Sequence, residues 1–343
     1  MQKKLAIIGA GIAGLLTARE VLKSDLVDEC VLFDAGDFAP GCSMGSTAVI
    51  NRSGIQRGLS PLGDLLVDSY FLAVTYFKEN PQPGVEFVPH LHLATESKRH
   101  SLFKRFSHQG VGELPAPFAD LFIDSGPVFE DQTLLIAPEV FLPRLLTELK
   151  TDARFRFQKT LVTQITPAGD VTYASGESQN FSRVILCLGG SRVAWRESFF
   201  KGFDKRDLRV TQEVTGFALS YSGIDLGESS FCFSLDQKNF IYRSQAREVW
   251  LGGTGQKRGE LCPDWIELKE QERTFLNFLK PHYKAKFLEA SKTVRGGLRE
   301  KGQGRQPWMA PLSDRVFEIH GLYKNGYTLA FSAALKASEW LKS

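Results

Sequence analysis

The sequence predicts an α/β fold, a parallel sheet wound with helices and joined to a region of antiparallel strands. Three observations predict it. Leu5, Ala6, Ile7 and Ile8 form a short apolar run that stops at Gly9-Ala10-Gly11-Ile12-Ala13-Gly14. Beyond Ile12 the apolar residues Leu15, Leu16, Ala18 and Leu22 recur at helical spacing. A second run of the kind buried on both faces, Val184-Ile185-Leu186-Cys187-Leu188, ends in Gly189-Gly190, and residues 214–253 hold several alternating runs suited to an antiparallel sheet.

The opening segment has the strand, glycine turn and helix order of a Rossmann-like dinucleotide-binding unit. Gly9 permits the tight turn, Gly11 lets the backbone approach a pyrophosphate, and Gly14 lets the helix pack closely on the strand. The free N–H groups and positive dipole end of that helix suit phosphate. The run Cys30-Val31-Leu32-Phe33 then delivers Asp34, placed to accept from a ribose hydroxyl. Taken alone, Asp34 reads more simply as a solvated strand-end or turn acid; the preceding glycines give it the ribose role.

The loop after Asp34 is rich in small residues through Ser46 and Thr47. Small side chains let backbone amides reach a ligand, and a plain surface loop is the alternative. Residues 62–77 read as a helix with Leu62, Leu65, Leu66, Tyr70, Phe71, Val74 and Phe77 on one broad face. Residues 85–88 and 91–94 read as two strands. His90 and His92 alternate there with apolar neighbours, which predicts a solvated strand face; a metal pair is the alternative, without an evident third ligand. Residues 134–136 form a strand, and 138–150 a helix in which Pro143 is tolerable only near the first turn. Strands follow at 154–157 and 160–165, then a hairpin over 169–177.

In the strand-rich region Phe217–Tyr221, 231–234, 240–243 and 249–254 stand out as strands. Asp264 is placed to cap a helix running to Pro281, with Glu267 completing a capping box. Arg295-Gly296-Gly297-Leu298-Arg299 precedes a polar, glycine-rich loop over 300–305. A strand over 315–320, a turn over 321–326 and a helix over 327–341 close the chain.

With 343 residues there is room for one large or two medium domains, and 43% hydrophobic with 24% charged residues is ordinary for a globular enzyme. A net charge of +3 is too small to argue for nucleic acid or an anionic membrane. Five cysteines are an odd number without metal-ligand spacing, and Cys30, Cys187 and Cys232 lie in apolar runs. Buried reduced thiols are expected, and with them a cytoplasmic setting. The first residues read as nucleotide turn rather than targeting signal, and no apolar stretch is long enough for a transmembrane helix.

Four separated segments resemble the D-amino-acid oxidase-like (DAO) family of FAD-dependent oxidoreductases, nearest in motif to glycine oxidase. They are the N-terminal fingerprint, residues 184–190, Tyr242-Arg243 with Trp250-Leu251-Gly252-Gly253-Thr254, and Gly296-Gly297-Leu298-Arg299 through Pro307. Residues 321–330 look like the loop that closes over the flavin in glycine oxidases. The resemblance implies an interleaved chain, with an FAD-binding domain from 1–80, 138–212 and 293–343 and a substrate-binding domain from 81–137 and 213–292. FAD would bind without covalent attachment, because no cysteine follows Cys262 where sarcosine-oxidase-like members place theirs. Cofactor contacts would come from Gly9, Gly11, Ile12, Ala13, Gly14, Asp34, Ala35, Ser46, Thr47, Val162, Leu188, Gly189, Gly190, Asn325, Gly326, Tyr327 and Thr328.

The family's carboxylate-binding arginine falls on Arg299, and a guanidinium fork matches a carboxylate in geometry as well as charge. A loop-closing arginine is the alternative. In this family the flavin performs the chemistry, taking hydride from the carbon bearing the amine. Tyr242 would line the pocket, unless it only packs in its strand. Lys324 would place a cation by the N1–C2 carbonyl region of the flavin. The chain departs from the family at Glu300-Lys301-Gly302-Gln303-Gly304-Arg305, where proline and then a threonine–proline–aspartate stretch are usual. It departs again at Ser46-Thr47-Ala48-Val49-Ile50-Asn51, where glycine oxidases carry alanines and glycine.

The function implied is oxidation of the C–N bond of an amino acid or secondary amine to an imine, with peroxide formed if oxygen is the acceptor. Two alternatives share the fold. One is a flavin oxidoreductase acting on a carboxymethylamino group of a modified tRNA base, for which Lys98-Arg99-His100 and Lys104-Arg105 would supply the basic patch. The other is an FAD-binding protein of low turnover, which the altered 300–305 segment leaves open.

Overall fold

A computed structural model describes residues 3–343 except 37–40, 53–54, 56, 94–99, 101–102, 105, 107–119, 124–128, 191–195, 205–207, 210, 237, 254–255 and 258–263. The chain opens with β1 (Lys4–Ile8), α1 (Ile12–Leu22) and β2 (Glu29–Asp34), then β3 (Val49–Ile50), α2 (Pro61–Glu79), β4 (Val85–Leu93) and β5 (Phe129–Ile136). Next come α3 (Pro138–Leu149), β6 (Phe155–Lys159), β7 (Val162–Ile165), β8 (Asp170–Tyr173), β9 (Ser178–Asn180), β10 (Arg183–Leu186) and the short α4 (Arg196–Phe199). Strands β11 (Thr211–Ser222), β12 (Phe231–Leu235), β13 (Lys238–Arg243), β14 (Glu248–Gly252) and β15 (Gln256–Lys257) follow. The chain ends with α5 (Trp265–Phe278), α6 (Pro281–Glu289), β16 (Ser291–Gly302), β17 (Trp308–Pro311), β18 (Val316–His320) and α7 (Gly326–Lys342).

The first sheet runs β17-β18-β10-β1-β2-β6, parallel except for β17. Because it is covered on both faces, its strands are continuous apolar runs. Leu5, Ile7, Cys30 and Leu32 pack under α1, α2, α3 and α7, whose contributions include Leu15, Phe77, Phe141 and Ala333. Ala6, Ile8, Val31 and Phe33 face the small sheet β7-β8-β9 through Val162, Val171 and Phe181. This is the Rossmann-like unit the fingerprint predicts.

The second sheet runs β15-β11-β14-β13-β12-β4-β5-β3, with β16 along the other edge of β11. One face is covered by α5 and α6, where Phe233, Phe240 and Tyr242 meet Leu268, Phe275 and Phe287. The opposite face carries Val88, Ala218, Cys232, Ile241 and Trp250. The sheet is antiparallel apart from one pair, β4 with β12. Strands β3 and β16 hydrogen-bond into it although their flanking segments feed the first sheet.

Several local expectations change. Residues 85–93 are one strand: β5 pairs along it through Pro89, and β12 joins the other edge only from His90. His90 and His92 are buried, not solvated, because β4 lies inside the sheet and Phe106 covers the pair. Their ring centroids are 4.2 Å apart, and His92 is 4.4 Å from Phe106. His90 Nδ1 lies 3.0 Å from Asn51 Nδ2, and its Nε2 lies 2.7 Å from Ser234 Oγ. Among the described residues no group of three or more His, Cys, Asp or Glu is arranged to hold a metal.

Pro143 sits inside α3, past the first turn, since Pro138 takes its first position. The stripe Phe141, Leu142, Leu145, Leu146 and Leu149 buries enough apolar surface to hold the helix through the lost bond. Asp264 does cap α5, accepting from the amides of Ile266 and Glu267 at 2.9 and 3.0 Å, while Glu267 accepts from Lys238. Residues 300–302 are strand rather than loop, because β11 and β16 pair over twelve residues, from Thr211↔Gly302 to Ser222↔Ser291. Cys30, Cys42, Cys187 and Cys232 are free thiols. Thr254, Cys262 and the basic residues Lys98, Arg99 and Arg105 lie outside the described residues.

Candidate active site

The glycine turn leaves β1 with Gly9 at φ +106°, a conformation that favours glycine. A side chain on Gly14 would run into the Gly9 carbonyl, so the first turn of α1 lies directly against the end of β1. Gly11 begins α1 with no side-chain cap, and the first turn holds no acid. No carboxylate competes there with an anion for the positive end of the helix dipole. Asp34 reaches back to this turn: Oδ2 accepts from the Ala10 amide at 2.8 Å and Oδ1 from the Gly36 amide at 2.9 Å. Each oxygen keeps a second lone pair, so bracing the turn leaves room for a ribose hydroxyl. Ala35 is exposed beside it.

The loop 41–46, with Thr47 after it, ties four elements together. Ser43 Oγ accepts from the Ile12 amide at 3.1 Å, and the Ser43 carbonyl accepts from Tyr327 Oη at 2.8 Å, fixing the loop to α1 and α7. Ser46 Oγ accepts from Ala48, whose φ is +47°, and the Thr47 carbonyl accepts from Arg243 Nη2 at 3.4 Å. A side chain on Gly45 would strike the Gly296 carbonyl, and one on Gly297 would lie 2.6 Å from Cys42 Cα. One on Gly190 would strike the Leu298 carbonyl. Three consecutive residues of β16 thus lie against loops next to the first sheet, and glycine is what allows the approach.

Arg299 is the next residue along this strand. Its guanidinium lies on Gly216 of β11, where any side chain would overlap it, and a side chain on Gly253 would come within 3.4 Å of Nη2. Lys238 Nζ donates to the Gly253 carbonyl at 3.2 Å and to Glu267 Oε1 at 3.2 Å. Lys324, on the 3-10 turn Tyr323–Asn325, feels these charges. Loss of solvent, then the positive charges of Arg299, Lys238 and Arg305, hold its ammonium below the usual lysine range, with Glu267 opposing. The residue as a whole remains exposed.

Cys42 is half-buried beside Arg299. The chain packed around it pushes its thiol up, and the charge and hydrogen bond of Arg299 pull it back. Burial, then Cys42, push the Tyr327 hydroxyl well above the usual tyrosine range. Behind the turn, Glu300 Oε2 accepts from the Gly321 amide at 3.2 Å, and His320 lies 3.8 Å from Glu300 and 3.6 Å from Glu318.

The expected residues fall into two groups. Gly9, Gly11, Ile12, Ala13, Gly14 and Asp34 form the turn; Ser46, Thr47, Gly190, Arg299, Lys324, Asn325, Gly326, Tyr327 and Thr328 belong to the elements that meet at loop 41–46. Gly189, at φ +53°, and Gly326 have open space where a side chain would be. Val162 and Leu188 pack in the core beneath the first sheet. Tyr242 does not reach the site. Strand alternation turns it to the α5–α6 face, fully buried, with Oη donating to the Gly227 carbonyl at 2.8 Å. Its neighbour Arg243 faces the seam instead. Cys42, Ser43, Lys238 and Glu267 were not singled out from sequence. Only the first two sit in a loop whose small residues gave a signal.

The description of the FAD-dependent oxidoreductase family, DAO, matches residues 4–340. The chain belongs to this family. No curated protein matches it by sequence. Among solved structures it is similar to glycine oxidase from Geobacillus kaustophilus, at 16% identity and TM-score 0.80 over 99% of this chain and 95% of that one. It is similar to iminodiacetate oxidase from Chelativorans sp. BNC1, at 16% identity and TM-score 0.77 over 96% and 93%. The FAD-bound L-α-glycerophosphate oxidase from Mycoplasma pneumoniae matches at 13% identity and TM-score 0.79 over 100% and 95%. At these identities the likeness shows the fold. The DAO protein is thus an FAD-dependent oxidoreductase, and its residues fit the cofactor. The start of α1 holds no acid in its first turn, which suits a pyrophosphate, and Asp34 keeps a lone pair on each oxygen beside it. Among the described residues no helix is long and apolar enough to cross a membrane.

Proposed function

We propose that the protein oxidises the C–N bond of an amino acid or secondary amine to an imine, with peroxide as co-product where oxygen is the acceptor. The observation that carries this reading is the place of Arg299. Its guanidinium lies on a floor of backbone at Gly216 and Gly253, at the seam where the nucleotide-binding loops meet the second sheet. A planar fork held flat in this way presents its donors edge-on, the geometry that pairs bidentately with a carboxylate. Held by its carboxylate, a substrate has its amine-bearing carbon fixed against the seam, and orientation of this kind supplies much of a barrier reduction. Bound FAD, held without a covalent bond, supplies the two-electron acceptor.

The division into an FAD-binding domain (1–80, 138–212, 293–343) and a substrate domain (81–137, 213–292) belongs to this proposal. The cytoplasmic setting belongs to it too, supported by the free thiols. The test is anaerobic bleaching of the flavin by a panel of amino acids and N-methyl amines, which reads electron transfer whatever the final acceptor. Arg299→Ala should raise KM for a carboxylate substrate at least about tenfold while leaving the flavin bound. If that variant handles carboxylate substrates as the parent does, the anchoring role is wrong.

A further inference from the structure

The cations around Arg299 outnumber what one carboxylate needs. Lys238 comes from β13 and Arg299 from β16, yet both converge on Gly253, one through its carbonyl and the other against its α-carbon. Lys324 comes from a separate turn, fastened to β16 by the bridge between Lys301 and Leu322. The residue before it, Tyr323, holds φ at +51°, a conformation sparsely populated by residues other than glycine. The chain accepts that strain in the turn that carries Lys324. Arg305, which also acts on Lys324, has φ at +66°.

Among the described residues, Glu267 is the one acid acting on Lys324, and it is already paired with Lys238 at 3.2 Å. With that pair cancelled, Arg299, Lys324 and Arg305 leave three positive charges among the described residues. The pyrophosphate end of FAD belongs at α1 and does not offset them. An α-carboxylate offsets one. Like charges gathered around a partly exposed mouth focus a field that selects anions of higher charge.

We propose that the substrate is an amine bearing two anionic groups, Arg299 taking the α-carboxylate and Lys324 taking a second carboxylate. This rests on the amine-oxidation reading and names its substrate class. The second group lies toward solvent, because Lys324 is exposed, so its recognition depends on salt.

The experiment is anaerobic flavin reduction in the holoenzyme by aspartate and glutamate, compared with asparagine and glutamine, both enantiomers of each, with N-methylglycine and undermodified tRNA alongside. The amides match the acids in size and lack only the charge. The acids should be preferred by about 10- to 100-fold in reduction rate over apparent Kd, the worth of one charge-assisted contact. The preference should shrink between about 0.01 M and 1 M salt, over which the Debye length falls from ~30 to ~3 Å. Lys324→Gln should collapse the acid-to-amide ratio.

Equal reduction by acids and amides would overturn the dianion assignment and leave amine oxidation standing. If Lys324→Gln slows acids and amides alike and shifts the flavin potential, the lysine serves the cofactor and the assignment is wrong. Reduction by the tRNA alone, or by none of the amines, removes both readings.

Discussion

Arg243→Met tests whether the seam between the two sheets is held by charge. Arg243 is 4% exposed. Its Nη2 donates to the Ile136 carbonyl at 2.5 Å and, at 3.4 Å, to the carbonyl of Thr47, so it binds β13 to the end of β5 and to the segment that follows loop 41–46. Burial holds its guanidinium below the usual arginine range; Glu139, Glu248, Tyr327 and Glu86 oppose this. Methionine fills much of the volume but donates nothing. Removing one member of a buried ion pair costs about 3–5 kcal/mol, because the partner charge is left behind. Here the partner is partly provided for: Glu248 still accepts from Ser220 Oγ at 2.5 Å and lies 3.6 Å from Arg295. We therefore expect the low end, about 3 kcal/mol. At roughly 2.1 cal/mol/K per residue, a chain of this length melts with an entropy near 0.7 kcal/mol/K, so the midpoint should fall by about 4 °C. Thermal release of flavin fluorescence measures it. Arg243→Met with Glu248→Gln should cost less than the sum of the two, since no carboxylate is then stranded. A single variant within about 0.5 kcal/mol of the parent, or an additive double variant, would refute the reasoning.

Gly297→Ala puts a methyl 2.6 Å from Cys42 Cα, where backbone cannot give way cheaply, and should destabilise by about 1–3 kcal/mol and weaken flavin retention, read as flavin absorbance after gel filtration. Asp152 is clamped by Arg154, with Nη2 to Oδ2 at 2.8 Å and Nε to Oδ1 at 3.0 Å, and these bonds depress its carboxyl against a smaller burial effect. A depressed acid lends stability above its unfolded pKa and loses it as pH falls through the folded one. Asp152→Asn should thus cost up to about 1 kcal/mol at neutral pH, and the melting curves should converge with the parent below about pH 4. Burial pushes the thiols of Cys30 and Cys187 up to about 12, and Cys232 higher still, while Arg299 opposes the rise at half-buried Cys42. Peptide mapping after alkylation of the native protein at mild alkaline pH should find Cys42 modified first among these four, and more slowly in Arg299→Ala.

The nucleotide half was legible because its signals are local. Gly9, Gly11 and Gly14 act within one turn, and buried parallel strands announce themselves as apolar runs such as 184–188. The second sheet was legible as strands but not in its pairing. Nothing near 300–302 says that β11 will hold those residues in a ladder, since the partner lies about ninety residues away. His90 and His92 show the same limit. Alternation with apolar residues reads as a wet face, yet Phe106 and the central place of β4 bury both rings. Tyr242 was misplaced by one step of strand phase. The motif Tyr242-Arg243 does reach the seam, through its second residue. Lys238 gave no signal and Glu267 read only as a helix-capping acid, because each sits in an ordinary element and only the fold brings Lys238 to Gly253 and Glu267 to Lys238.

The register of β16 ties these pieces together. Arg295, Gly297 and Arg299 share one face of that strand, opposite Ala218, Gly216 and Val214 of β11. Gly252 joins the same floor, since a side chain there would meet Ala218 and the methyl of Thr47, each at 2.9 Å. Small residues at these positions let loop 41–46 lie on the floor at one end and the Arg299 guanidinium lie flat on it at the other. A slip of one residue would turn Arg299 to the α5–α6 face and bring Leu298 or Glu300 onto the seam. Both ends of the strand oppose that slip. Arg295 stacks 4.8 Å from the Trp250 ring and reaches Glu248, and Glu300 holds the Gly321 amide from the other face. Glu300 and Lys301, just beyond Arg299, supply this second fastening, which sets where the arginine stands and ties the turn bearing Lys324 to the same strand.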